Sequence, residues 1–404
     1  MAKKIAIIGG GWAGCAAAMQ ALRAGHHVTL LEASRSLGGR ARAVEVTLAN
    51  GEQVMLDNGQ HVLLGAYRET LDLMRSVGVE LDAALERVPM HLGVLQTSPW
   101  HWTDYVSLAA SLLRWGLQGM TCLDGTTVLT LSKHASKKVL SDVIESLCLS
   151  ALNTTPAEAS GRVFLRVVKD AFLSKPYVWL GGAHGGVRYA SSDMLIPQVD
   201  LSALLPGKVV TALQAAGSCV RLGTRVASLL PLHNEFDHVV VATSPWEAAR
   251  LLRDAAPDWA ASVDALEYRA IATVYAQAPD GFELQRAGRK VPILALPSDA
   301  KHPAQFVFAR REAKGLLAFV VSDASGERQE IERLVLAQGQ AKLGVALRAV
   351  STIIEKRATF ACTAGLKRPA KLELAGLSVV GDYLDGPYPS TIEGAVMSVD
   401  FVIK

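Results

Sequence analysis

The strongest constraint on the fold is KKIAIIGGGWAGCAAAMQALRAG, where a β-branched apolar run meets three consecutive glycines at 9–11. A lysine pair followed by apolar residues also begins a secretory signal. Glycines placed directly after IAII would break the apolar helix of such a signal, and they suit a tight turn instead. The stretch reads as strand KKIAIIG, a helix over 14–25 and a second strand HVTLLEA. Gly9, Gly11 and Gly14 then form G-x-G-x-x-G between strand and helix. Gly9 permits the sharp turn. Gly11 lets the backbone approach a pyrophosphate, and Gly14, with Ala18 one turn later, lets helix and strand pack closely. The phosphates would sit on free N–H groups at the positive end of the helix. Glu32 ends the second strand 18 residues after Gly14, near the spacing of an acid that holds ribose hydroxyls. The combination predicts a dinucleotide-binding βαβ unit; the bland alternative is a glycine-rich turn in an ordinary one.

Three further stretches extend this site. EASRSLGGRARAV places Gly38, Gly39 and Arg40 just past the acid, a second backbone approach beside a planar cation that suits a diphosphate. LDNGQHVLLGAYRETLDLMRSVGV gives a strand ending near Asp57, a turn at Asn58-Gly59, then Gln60, His61 and a helix. Near the other end, GDYLDGPYPSTIEGA closes a strand at Gly381-Asp382 and opens a helix at Thr391, Ile392 and Glu393.

On these motifs the chain resembles the flavin amine oxidase and phytoene desaturase superfamily. Within it, DNGQHVLLGAYRETL, LCLSALNTTPAEAS, LIPQVDLSALLP, VRLGTRV and GDYLDGPYPSTIEGAVMS are similar to the squalene-associated FAD-dependent desaturase, or hydroxysqualene dehydroxylase, family. The resemblance covers nearly the whole chain and is patchy over 265–355. It implies FAD as cofactor, touched by Gly9, Gly11, Trp12, Ala13 and Gly14 at the first turn and by Glu32 and Ala33 after the second strand. It further implies contacts from Gly39, Arg40, Gly59 and Val226, and from Gly381, Asp382, Thr391 and Ile392. Asp382 would meet flavin polyol hydroxyls, and N–H groups at 391–393 the pyrimidine end of the ring. One departure stands out: Val399 occupies the place after Ser398 where the family has glycine.

The implied fold is α/β, a discontinuous FAD-binding Rossmann-like domain of glutathione-reductase type with an α+β substrate domain of mixed sheet and helices. The expected boundaries are 1–65, 207–260 and 357–404 for the first, and 66–206 and 261–356 for the second. Residues 99–180 read as mostly helical, and VRLGTRVASLLPL and FDHVVVATSP as strands returning to the first lobe. Strands at 272–277, 291–296, 305–309 and 316–321 suggest an antiparallel sheet, followed by a helix over 327–349, a strand near 358–362 and a last strand at 377–382.

The implied reaction is reduction of hydroxysqualene to squalene, by hydride from reduced flavin to an allylic cation, with an apolar isoprenoid substrate and an unidentified electron donor. An amine oxidase, a carotenoid or phytoene-type desaturase, and a non-catalytic prenyl-lipid carrier on the same fold are the alternatives. His61, with Gln60, is the candidate catalytic residue, as a substrate-orienting group or a general acid; a packing role competes. His184 and Arg188 lie in a glycine-rich loop that could line a substrate tunnel.

Composition trims the field. With 404 residues, 50% hydrophobic and a net charge of +3, the chain has a large core and no call for nucleic acid. Five scattered cysteines without a C-x-x-C pair speak against a disulfide scaffold or a metal site and suit the cytoplasm. PWHWTDYVSLAASLLRWGLQGM (99–120) carries Asp104 and Arg114 as its only formal charges. Its stripe of Tyr105, Leu108, Ala109, Leu112, Leu113, Gly116, Leu117 and Met120 reads either as a core helix or as peripheral contact with the inner face of a membrane. The basic polar face of a typical anchor is missing.

Overall fold

A computed structural model describes residues 2–181 and 186–399, so His184 lies outside the described residues. Its organising element is a six-stranded sheet in the order Cys219–Arg221, His27–Leu31, Lys4–Ile8, His238–Val241, Leu377–Val379 and Glu373–Leu374. The first five strands are parallel and the last is an antiparallel edge. Parallel strands buried on both faces read as continuous apolar runs. KIAII and HVVV do so because Ile5 and Ile7 enter one core while Ala6 and Ile8 enter another. Strands from both ends and the middle of the chain therefore share one sheet.

The alanine-rich helix Trp12–Arg23 is buried along most of its length and shares a core with the short helix Ile392–Met397. Val399 belongs to the same core at 2% exposure, so the valine standing in place of glycine is taken up by packing.

A second sheet is antiparallel, in the order Ile293–Ala295, Phe306–Ala309, Leu316–Ser322, Tyr268–Gln277 and Arg348–Phe360. Its side chains alternate as period-two geometry requires. Val274, Val307 and Phe319 pack with Ile331 and Val335 of helix Arg328–Leu343, whereas Tyr275, Phe308 and Ala318 pack with Cys148, Leu152 and Phe164 of the helical segment.

Several boundaries differ from expectation. The helix expected over 327–349 stops at Leu343 because Gly344 adopts φ +69° as its cap, and the following strand begins at Arg348 and not near 358. In VRLGTRVASLLPL only Val220 and Arg221 are strand, as the end of Cys219–Arg221: Gly223 turns the chain at φ +63°, and Leu230–Glu235 is a helix with proline in its first turn. Arg188 lies on the short strand Val187–Tyr189, not in a loop. The core-helix reading of 99–120 holds for only part of the stripe: Leu108, with Trp115, joins the core of the helical segment, while most of the other apolar residues of the stripe lie outside it. Helix Trp102–Leu117 buries Asp104, Leu108, Ser111 and Trp115, and it exposes Tyr105, Ala109, Leu112, Leu113, Gly116 and Leu117.

Candidate functional site

The glycine turn is built from three constraints of different kinds. At Gly9, φ is +104° and a Cβ would lie 2.5 Å from the Ala242 carbonyl oxygen; at Gly14 it would lie 1.9 Å from the Gly9 carbonyl oxygen. Both positions are closed by the protein itself. Gly11 differs: a Cβ there would meet nothing nearer than Gly39 Cα at 4.0 Å. Gly39, at φ +61°, faces Gly11 in turn, and Gly11 pairs with Gly38 in an isolated bridge. Two bare backbones thus border open room at the start of a buried helix. That cradle fits a diphosphate, which seeks free N–H groups and the positive helix end.

Trp12 and Ala13 put their side chains into the core, with Trp12 Nε1 donating to the Ala41 carbonyl at 3.2 Å, so their backbone is what remains for a ligand. The Glu32 carboxylate accepts the Gly10 N–H at 2.6 Å and the Ser34 N–H at 2.7 Å. It fixes the loop that carries it, beside exposed Ala33. Thr224 N–H donates to the Glu32 carbonyl at 2.8 Å, which draws the segment leading to Val226 alongside. The Val226 carbonyl is itself held by Arg250 Nη2 at 2.9 Å.

Arg40 and Asp382, 342 positions apart, meet directly. Arg40 Nη2 lies 2.6 Å from both carboxylate oxygens of Asp382, and Nη1 donates to the Ala358 carbonyl at 2.7 Å. Gly381 donates its N–H to Ser398 Oγ at 2.9 Å, tying the last strand to the terminal helix. Thr391 caps that helix by accepting the Gly394 N–H at 2.9 Å, and Ile392 packs against the core shared with Trp12. The neighbouring Glu393 carboxylate is buried and turned away, accepting Thr70 Oγ1 at 2.6 Å and the N–H groups of Thr70 and Glu69 at 2.9 and 3.1 Å. Burial pushes its pKa up to about 7 against those hydrogen bonds. This carboxylate clamps helix Arg68–Ser76 to the end of the chain.

The turn at 57–61 rests on a residue that the sequence did not single out. Arg310, at the end of strand Phe306–Ala309, is buried and donates to Asp57 Oδ2 at 3.0 Å, to Gln60 Oε1 at 2.6 Å and to Glu312 Oε2 at 3.1 Å. Tyr275 donates its hydroxyl to the Asp57 carbonyl at 2.8 Å, and Asp57 Oδ1 accepts the Leu201 N–H at 2.8 Å. Burial pushes Asp57 up to about 6, partly offset by the Arg310 guanidinium. Gln60 is thereby held from behind, with Nε2 on the His61 carbonyl at 3.3 Å. The role of Arg310 in this turn was invisible locally because Asp57 and Gln60 lie 253 and 250 positions away.

His61 stands next in the turn. Desolvation by the surrounding protein, helped by the Arg40 charge, pushes its pKa down to about 4. The ring is neutral at pH 7. Gly59, two positions before His61, is open: a Cβ there would find only Thr273 Oγ1 at 3.9 Å and His61 Nε2 at 4.0 Å. Thr273 Oγ1 is buried with no hydrogen-bond partner among the described residues. A buried hydroxyl left unpaired is what a bound polar group satisfies. Together with the glycine cradle and the Arg40–Asp382 pair, it makes a surface that fits a long dinucleotide: diphosphate at the first turn and a polar ring edge near 59–61.

Comparison with known proteins follows the same lines. The family described as flavin containing amine oxidoreductase matches residues 12–398. A protein of Rhodopseudomonas palustris named hydroxysqualene dehydroxylase is 26% identical, covering 98% of this chain and 97% of its own length. One of the same name from Sinorhizobium fredii is 25% identical over the same shares. A zeta-carotene desaturase of Synechocystis is 34% identical but over 20% of this chain. Among solved structures, an oxidoreductase from Methanosarcina mazei has TM-score 0.72 at 16% identity, covering 98% of both chains. Cyclohexylamine oxidase from Brevibacterium oxydans has TM-score 0.68 at 16% identity, covering 100% of this chain and 98% of its own.

Proposed function

Because the chain belongs to the flavin-containing amine oxidoreductase family and is an FAD-dependent oxidoreductase, we propose that it reduces hydroxysqualene to squalene. One observation carries the choice of substrate. Similarity to proteins named hydroxysqualene dehydroxylase runs along 98% of the chain, whereas similarity to a carotenoid desaturase is confined to 20% of it. The cofactor supplies a hydride when reduced. The work of the protein is to bind, orient and exclude water.

Gly11 and Gly39 border the diphosphate, and Arg40 with Asp382 closes the site between the two ends of the chain. The Arg310–Gln60 contact sets the turn that presents Gly59 and His61. A neutral His61 at pH 7 suits holding a hydroxyl in place; it does not suit giving up a proton, because the charged acid form is scarce three units above its pKa of about 4. Reduction consumes electrons that this chain does not make, so the reading includes an external electron donor and an apolar isoprenoid substrate, met from the cytoplasmic side.

Anaerobic incubation of photoreduced enzyme with hydroxysqualene tests the reading. We expect flavin reoxidation with squalene formed in equal amount, identified by mass. Reduced flavin that survives hydroxysqualene, together with oxidised enzyme that converts phytoene or an amine in air, would replace this reading with a desaturase or an amine oxidase.

A further inference from the structure

We propose that the exposed face of helix Trp102–Leu117 docks on an anionic lipid bilayer surface, with the helix axis lying along the interface. This deepens the partner side of the reading above, but it rests on a different observation and stands without the substrate assignment.

The helix is amphipathic the wrong way round for a free surface. Its buried side uses Asp104 and Ser111 alongside Leu108 and Trp115. The Asp104 carboxylate accepts Ser136 Oγ at 2.7 Å and the His101 N–H at 3.1 Å, and Ser107 Oγ accepts the Ser136 N–H at 2.7 Å, so polar groups pin the helix down. Its outer side shows Trp102 at 75% exposure, Leu113 at 66% and Leu117 at 81%, with Val106 between them. Leaving four such side chains in water on one helix is costly, and contiguous apolar surface of this kind marks an interaction site.

Charge selects the occupant. The segment running back along the helix is tied to it at Leu131, whose carbonyl accepts Trp115 Nε1 at 3.5 Å, and at Ser136, which bonds Asp104 at 2.7 Å, so Lys133 and His134 lie on the stretch held beside Arg114; the Arg114 charge holds the His134 pKa down. Lys137 is exposed on the same segment. Of the acids within 99–138, Asp104 is buried and Asp124 is paired with Arg162. The greasy face is therefore flanked by positive charge, from Arg114 of the helix and from Lys133 and Lys137 of the neighbouring segment. An apolar stripe bearing a tryptophan, edged by Arg and Lys, complements acyl chains under anionic headgroups. A second copy of the chain would bring basic flank against basic flank. Among the described residues no helix is long and apolar enough to cross a membrane, so the contact lies in the interface plane.

The test is flotation of the full-length flavin-loaded protein with vesicles of phosphatidylcholine alone or with phosphatidylglycerol. Wild type should float with the anionic vesicles, and less so as salt rises. Leu113→Asp with Leu117→Asp should weaken flotation by at least about tenfold, and Arg114→Gln with Lys133→Gln by roughly tenfold on anionic vesicles only. All four side chains face outward, so circular dichroism and flavin content should match wild type in both variants. Wild type that ignores both vesicle types, flotation unchanged in Leu113→Asp with Leu117→Asp, or wild type that dimerises through this face in place of floating would overturn the proposal. No substrate enters the assay, so its failure leaves the hydroxysqualene reading standing.

Discussion

Gly14→Ala gives a protein that denatures about 3 kcal/mol more easily than wild type, even though alanine is the better helix former. The reason is a clash: its Cβ would lie 1.9 Å from the Gly9 carbonyl oxygen, inside a turn already closed at Gly9 against Ala242. Backbone must move, and the first strand and helix are the centre of the core. Gly11→Ala, three positions earlier, has the opposite outcome. Its Cβ meets nothing within 4 Å except Gly39 Cα, and Gly11 has φ −71°, so the fold keeps its stability or gains about 0.5 kcal/mol. The methyl instead occupies room left for the diphosphate and weakens FAD binding roughly a hundredfold, about 2.7 kcal/mol. Denaturant titration of the flavin-free chains and FAD titration of the same samples separate the two effects.

Arg310→Met costs about 3–5 kcal/mol, because it leaves buried Asp57 and half-buried Glu312 without their cation. The pH dependence has a definite sign. Folding raises the Asp57 pKa to about 6, so in wild type its contribution to stability falls as pH rises from about 4 to 6. Without the guanidinium the folded pKa moves higher still, and the loss continues above pH 6. The gap between wild type and variant should therefore widen from pH 6 to pH 8 and narrow in acid. Arg310→Lys restores charge without the planar fork and should recover part of the stability. In a double-mutant cycle, Asp57→Asn in the Arg310→Met background should cost less than Asp57→Asn alone. Chemical denaturation at several pH values reads all three. A constant gap across pH would show that Asp57 is not the group Arg310 compensates.

What the sequence made legible was local. Strand, turn and helix at 4–23 follow from glycine spacing and β-branched residues, and Glu32 from its distance to Gly14. Distant pairings left no mark. Arg40 and Asp382 could each be read as polar residues near a ligand, yet that they hold one another depends on a sheet order that brings 377–379 beside 238–241. Arg310 closes a buried run, and nothing near it announces Asp57 or Gln60. Helix 102–117 shows the limit most clearly. Its apolar stripe was readable at once, but a stripe says which residues share a face, not which face the protein covers. The face was decided by Asp104 and Ser107 bonding to Ser136, and most of the basic flank comes from the segment that carries Ser136, beside Arg114 of the helix.

The central claim is that both ends of this chain close around a single FAD. FAD titration of the flavin-stripped full-length protein tests it most directly, with Arg40→Ala and Asp382→Ala in parallel. The account predicts saturation at one FAD per chain, weakened about tenfold or more by either substitution. A chain that takes up no FAD, or one whose binding is indifferent to both substitutions, would contradict it.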